Sequence, residues 1–250
     1  MKKKIRKRLL LSSGLLLIVL VVGYRYSSKR VELFGHYDKV WAHRVDDLKK
    51  LESAEGKFAG VELDLVYLPG KDKLDIHHPP KPPRGLYFSD YFKALENNGL
   101  PLWLDIKNLK AKNADAILRR LETVFKANAL PKKRGHILVE STEVKSLNPF
   151  LKKGYRTSWY IQKRFSDENS KELSAKISDG LENPETELSS NYHNYPYLKK
   201  AFPERTKNFW IMTSTYDPKT IKNYSLIREL VSDKKVKTVL IPYVNFNRHY

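Results

Sequence analysis

The sequence predicts an α/β protein: a (β/α)₈ barrel of the TIM type lacking its last helix, preceded by an N-terminal transmembrane or signal-anchor helix. Three observations predict it. From residue 39 onward, eight main strand-like segments follow one another, and nearly every one is followed by a helix-like segment. That alternation builds a parallel sheet covered by helices. No glycine-rich turn follows the first strand, which disfavours an open, dinucleotide-binding sheet. The first 24 residues join a run of cations to a run of apolar side chains.

Residues 1–8 form a basic n-region, with Lys2, Lys3, Lys4, Arg6, Lys7 and Arg8. Residues 9–24 form the apolar segment and 25–36 a linker. The apolar run from Leu9 to about Gly23 is short against the roughly 20 residues of a membrane span, but flanking side chains can snorkel. No small-x-small cleavage site follows in "VVGYRY", so an uncleaved anchor is favoured over a cleaved signal peptide. The cationic end stays cytoplasmic. This predicts a single-pass cell-membrane protein with its domain, residues 37–250, outside the cytoplasm, or a secreted or periplasmic one if the segment is removed.

The elements of the domain follow in order. "KVWAH" reads as a first strand and "DDLKKLESAE" as a helix. "GVELDLVYL" is a second strand, followed by a Pro69-Gly70 turn and the short run "KLDIHH". A helix "SDYFKALENNG" is expected to start at a Ser/Asp cap and to end in Asn-Gly. "PLWLDIKN" is the third strand. "NADAILRRLETVFKANAL" is an amphipathic helix, with Ala114, Ile117, Leu118, Leu121, Val124 and Phe125 at helical spacing. "GHILVES", "YRTSWYIQ", "ELSSNY", "NFWIMTST" and "VKTVLIPYVNF" complete the strands, and the chain ends at "NRHY" with no closing helix. The helix "DPKTIKNYSLIRELVSD" carries Pro in its first turn.

The 250 residues carry 47 Lys and Arg against 28 Asp and Glu, a net charge of +19. The excess points to an anionic partner such as phosphate or anionic lipid, or to a basic solvated surface. Export and the lack of a basic-aromatic module argue against nucleic acid. There is no cysteine, which removes disulfides, thiol nucleophiles and thiolate-held zinc.

In such barrels the chemistry sits where strands end. His43-Arg44 closes the first strand, Glu62-Leu63-Asp64 lies in the second, His77-His78 ends the short run, and Asp105-Ile106-Lys107 ends the third. Residues two apart on a strand share a face, so Glu62 and Asp64 project together, as do Asp105 and Lys107. Three interior carboxylates are costly unless a cation compensates. With oxygen donors alone, Mg²⁺ or Ca²⁺ is the natural choice. Two imidazoles can deprotonate a nucleophile and protonate a leaving alcohol near neutral pH. Glu140 and Trp159 are further pocket candidates, and no nucleophile elbow supports a Ser-His-Asp triad.

The ordered set "AHR", "ELD", "HHPP", "LDIK", within residues 40 to 108, resembles the glycerophosphodiester phosphodiesterase and phosphatidylinositol phospholipase C-like superfamily. The spelling "VWAH", "HPP" and "LDIK" is most similar to its menorin branch. The resemblance implies a metal-dependent phosphodiester hydrolase acting on a glycerophosphodiester or phospholipid-derived substrate. By position, His43 and His78 would be the acid/base pair, Arg44 and Lys107 would hold the phosphate, and Glu62, Asp64 and Asp105 would bind the metal. The sequence departs from the family at Val45, usually Gly, at Pro79, usually Asp, and at Asp105, usually Glu in the diesterases. The departures at Val45 and Pro79, with the missing last helix, carry an alternative: a non-catalytic, surface-anchored barrel that binds an anionic ligand or a protein partner.

Overall fold

The computed structural model describes residues 12–20, 30, 33–95, 99–128, 134–211 and 223–243. Nine strands are formed among them: β1 (Val40–His43), β2 (Val61–Leu68), β3 (Lys73–Ile76), β4 (Leu102–Ile106), β5 (Ile137–Ser141), β6 (Arg156–Ile161), β7 (Glu187–Asn191), β8 (Lys207–Trp210) and β9 (Val236–Pro242). Eight are parallel and close on themselves in the order β1-β2-β4-β5-β6-β7-β8-β9, with β9 returning to β1. The helices α1 (Leu48–Ala54), α2 (Phe88–Ala94), α3 (Ala114–Ala127), α4 (Asn148–Lys152), α5 (Ser170–Gly180), α6 (Tyr195–Ala201) and α7 (Tyr224–Ser232) fill the connections between consecutive barrel strands. The predicted barrel is therefore the fold.

β3 is the exception to the repeat. It runs antiparallel to the far half of β2, with Leu65 opposite Ile76 and Leu68 opposite Lys73. β1 is only four residues long and pairs with the start of β2 at Ala42 and Val61. Just beyond the end of β1, Val45 and Asp46 bond to the edge of β2 at Glu62 and Asp64, and from Leu65 onward β3 takes up that edge. This raises β3, and the loop that follows, above the C-terminal mouth of the barrel.

Closure of β1 on β2 depends on Gly60. A Cβ there would come within 2.4 Å of the Trp41 indole, so only glycine lets that ring lie against the backbone. Side chains alternate between the barrel interior and the helix layer. The interior holds Trp41, Trp103, Leu138 and Leu240, packed against Trp210. Below them, at the N-terminal ends of the strands, Arg156 makes a bidentate pair with Glu187 (2.8 and 2.7 Å) and reaches Asn208. Above them lie the carboxylates described below.

The outer core is larger. α3 buries Ile117, Leu118, Leu121, Val124 and Phe125, each contributing about 1.5–3 kcal/mol on burial. The sequence periodicity identifies this face correctly. Phe125 contacts Phe88 and Phe92 of α2 and Tyr155 before β6. α1 starts at Asp47, whose carboxylate accepts the Lys50 N–H at 2.8 Å. α2 begins earlier than predicted: its cap is Tyr87, without a side-chain bond, and Asp90 lies in the first turn.

Residues 12–20 are helical, and Leu15, Leu16, Leu17, Ile18, Val19 and Leu20 are exposed. Among the described residues no helix is long and apolar enough to cross a membrane. The rest of the expected anchor, the helix start at Pro218 and the expected lack of a closing helix lie outside the described residues.

Candidate active site

A cavity of about 420 Å³ opens at the C-terminal mouth, lined by His43, Arg44, Glu62, His78, Asp105, Lys107 and Glu140 among others. Strand register puts the acids side by side. Asp64 is opposite Asp105 across β2 and β4, and Asp105 is opposite Glu140 across β4 and β5. One oxygen from each of Glu62, Asp64 and Asp105 can be chosen so that all three lie within 4.8 Å of one another. Asp105 therefore reaches the group despite being one methylene shorter than Glu.

Glu62 and Asp64 are almost fully buried. Glu62 Oε2 accepts the Arg44 N–H at 2.6 Å and lies 3.5 Å from His43 Nε2. Burial, then Asp64, Asp46 and Asp105, push the Glu62 carboxyl well above the carboxylate range. Asp64 Oδ1 is 2.6 Å from Lys107 Nζ, and Oδ2 is 3.7 Å from Arg44 Nε, yet neither oxygen accepts a well-aligned hydrogen bond. Lys107 also pairs with Asp105. Burial opposes the Lys107 charge, but Asp105 and Asp64 outweigh it and hold its pKa above the ordinary lysine value. Asp105 itself is raised by burial against the pull of Lys107.

The balance of charge decides what fits here. Five acids, Asp46, Glu62, Asp64, Asp105 and Glu140, face Lys107, Arg44 and the more remote Lys50. Asp46 is pushed up to about 6 by burial and then by Asp64. Glu140 is pushed up by burial and then by Asp105, and its Oε2 has no hydrogen-bond partner. Burial raises Glu62, Asp105 and Glu140 above their ordinary values, and neither Asp64 oxygen has a well-aligned donor, so the cluster is short of positive charge. The donor set of Glu62, Asp64 and Asp105 fits one hard divalent cation.

His43 ends β1 and is neutral at ordinary pH. Burial, then Arg44, Lys50 and Lys107, lower it to about 3. Arg44 follows with φ of 54°, a left-handed conformation uncommon outside glycine. Lys50 of α1 secures this corner by donating to the carbonyls of His43 (3.1 Å) and Arg44. Val45, fully buried, donates its N–H to the Glu62 carbonyl (2.8 Å), and its own carbonyl accepts the Tyr91 hydroxyl (2.8 Å). It is a packing position rather than a wall of the cavity.

The two adjacent histidines separate. His77 is buried, with Nδ1 2.7 Å from Asp75 Oδ1. Asp75 also accepts the N–H groups of Arg84 (3.0 Å) and Gly85 (2.9 Å). The loop from 77 to 85 is thereby clamped at both ends, and Arg84 reaches across to the Asp46 carbonyl at 3.0 Å. His78 and Pro79 line the cavity.

Glu140 lines the cavity as expected, but Trp159 does not. Trp159 faces the helix layer, where its ring lies against Gly180, and its Nε1 donates to the Thr142 carbonyl at 3.2 Å. Its neighbour Tyr160 is the interior residue. It meets Trp210 edge-on with centroids 4.8 Å apart and forms, with Gln162 and Thr142, the wall opposite His43. Strand alternation carries the signal for Tyr160, since it shares parity with Ser158, which is opposite Glu140. Within "SWYIQ" alone neither parity is marked. Trp210 and Asp46 had no distinguishing pattern.

No family model matches the sequence, and no curated protein matches it. Solved structures do match. The glycerophosphodiester phosphodiesterase of Parabacteroides distasonis is 18% identical with a TM-score of 0.55, over 81% of this chain and 92% of that one. A candidate glycerophosphoryl diester phosphodiesterase of Agrobacterium tumefaciens is 11% identical with a TM-score of 0.57, over 82% and 92%. A candidate glycerophosphodiester phosphodiesterase of Galdieria sulphuraria is 14% identical with a TM-score of 0.54, over 82% and 93%. The barrel is the fold of these phosphodiesterases.

Proposed function

We propose that the protein is a metal-dependent phosphodiester hydrolase of the glycerophosphodiester type, acting on a small or lipid-derived glycerophosphodiester. The observation that supports this most directly is the convergence of His43, His78, Arg44 and Lys107 on one cavity with three carboxylates that can share an ion.

Glu62, Asp64 and Asp105 would hold Mg²⁺ or Ca²⁺. When bound, that ion would offset the charge that builds on phosphoryl oxygens. The remaining steps belong to side chains. Arg44 and Lys107 bind the phosphate and set its orientation. His43, neutral, accepts the proton of the attacking hydroxyl, either water or a neighbouring hydroxyl of the substrate. His78 lies at the mouth with Nδ1 2.5 Å from the Pro79 carbonyl, which can only accept, so Nδ1 keeps its proton and Nε2 passes one to the leaving alcohol from the imidazolium form, leaving the ring neutral. The apolar segment near the N-terminus would anchor the domain to the outer face of the membrane.

The test is hydrolysis of glycerophosphodiesters, lysophospholipids and phosphoinositides with added divalent metal. His43→Ala and His78→Ala should each lower turnover by at least about 100-fold, and chelator should abolish it. Full activity in excess chelator overturns the metal role. Binding without turnover across the panel leaves a ligand-binding barrel instead.

A further inference from the structure

The opposite end of the barrel holds a second cavity, of about 390 Å³. Its walls come from the N-terminal ends of the strands: Lys39 before β1, His136 before β5, Arg156 at the start of β6, Lys234 before β9, and Lys237 and Thr238 at its start. Trp41 lines it and belongs to the indole and leucine layer that lies between it and the candidate active site.

Its charges are not those of a closed structural plug. Arg156 is neutralised by Glu187. Lys39 is tethered by the carbonyls of Val231 (2.9 Å) and Asp233 (2.8 Å), which hold its ammonium in place without cancelling it. The side chains of Lys234 and Lys237, both exposed, make no ion pair or hydrogen bond among the described residues. The acid lining the cavity is Asp38, so Lys39, Lys234 and Lys237 leave an excess of two positive charges.

Two independent observations point to a ligand. Lys207 and Asn208 on β8 are opposite Val236 and Thr238 on β9, so Lys237 is the extra residue of a β-bulge. Bulges at barrel rims re-aim a side chain, and this one turns a lysine towards Arg156. Lys237 is itself exposed; burial and then Arg156 lower its pKa, and Glu187 opposes them. Thr238, fully buried in the cavity wall, has a hydroxyl with no hydrogen-bond partner. Thr157, Ser158 and Ser189 are also left so, and of the four Thr238 is the one that lines this cavity.

We propose that this cavity is a second anion site that takes a phosphomonoester group, held by Lys234, Lys237 and the Thr238 hydroxyl. A phosphomonoester carries close to two negative charges at neutral pH, which matches the excess. The group can belong to a soluble metabolite or to a lipid headgroup, and the chemistry of recognition is the same.

The experiment is calorimetric titration of the full chain with inorganic phosphate. Lys107→Ala, which weakens phosphate binding at the other end, should retain a binding event. Adding Lys237→Glu should weaken that event by about tenfold or more, the size of one lost charge-assisted hydrogen bond. Adding Thr238→Val instead, which keeps the shape, should weaken it by several-fold while the melting temperature without phosphate stays the same or rises. Binding unchanged by both substitutions, or no binding in Lys107→Ala at millimolar phosphate, overturns the proposal. A second arm compares phosphatidylcholine vesicles with and without phosphatidic acid. A gain from phosphatidic acid that Lys237→Glu removes supports the site and identifies a lipid headgroup. Phosphate binding without that gain supports the site and identifies a soluble phosphomonoester.

Discussion

The N–H of Arg44 meets Glu62 Oε2 at 2.6 Å because Arg44 holds a left-handed φ of 54°. A non-glycine residue gives up about 1–2 kcal/mol there. The conformation turns the amide onto a buried carboxylate and points the guanidinium towards Asp64. Arg44→Gly should therefore be more stable than Arg44→Ala by about 1 kcal/mol in denaturant titration, while both lose the guanidinium and both lose hydrolysis. Equal stability of the two variants would show that the conformation carries no strain.

His77 and His78 should differ in kind. His77→Ala removes the partner of a fully buried aspartate and should cost about 2–4 kcal/mol, a fall of roughly 5–10 °C in melting temperature. His78→Ala removes a partly exposed ring and should leave the melting temperature within about 1 °C while abolishing turnover. The reverse pattern would assign the chemistry to His77.

Divalent metal should stabilise the protein through Glu62, Asp64 and Asp105. At a hundredfold excess over the dissociation constant the gain is about 2.7 kcal/mol, or some 5–10 °C in a thermal melt. Asp64→Asn should lose this rise, and it should lose it whether or not the protein turns over substrate. A rise of equal size in Asp64→Asn would place the ion elsewhere.

Lys207 offers a pH test outside the candidate active site. It is fully buried, its Nζ donates to the Arg205 carbonyl at 2.7 Å, and burial lowers it to about 8. Below pH 8 the folded state carries the full penalty of a buried ammonium. Between pH 8 and about 10.5 the unfolded chain holds the proton more tightly, so this contribution to stability rises with pH. Lys207→Met should be more stable than the parent at pH 7 by about 1–2 kcal/mol once screening is allowed for. The gap should shrink towards pH 10. A gap that does not change with pH would show that Lys207 titrates normally.

Much of this was legible beforehand, and its limits have physical causes. Barrel class, the α3 core face and the clustering of His43, Glu62, Asp64, Asp105 and Lys107 follow from two periodicities and from strand ends. Trp159 and Tyr160 could not be ordered, because a strand fixes that neighbours face apart but not which face is inside. The cap of α2 moved from Ser89 and Asp90 to Tyr87, where the β3 bridge from Asp75 to Tyr87 already positions the chain.

The sequence by itself determined the alternation of elements, the barrel and the residues that two-residue spacing sends to one face. Only the tertiary structure decided the rest. It separated His77 from His78 through the buried Asp75, brought Tyr160 and Trp210 to the wall opposite His43, and assembled Lys39, Lys234, Lys237 and Thr238 at the far mouth. The first turns on which residue of a two-residue spacing is buried, and the others depend on register across non-adjacent strands or on a single bulge. Such contacts join residues up to about two hundred positions apart, and no local pattern encodes them.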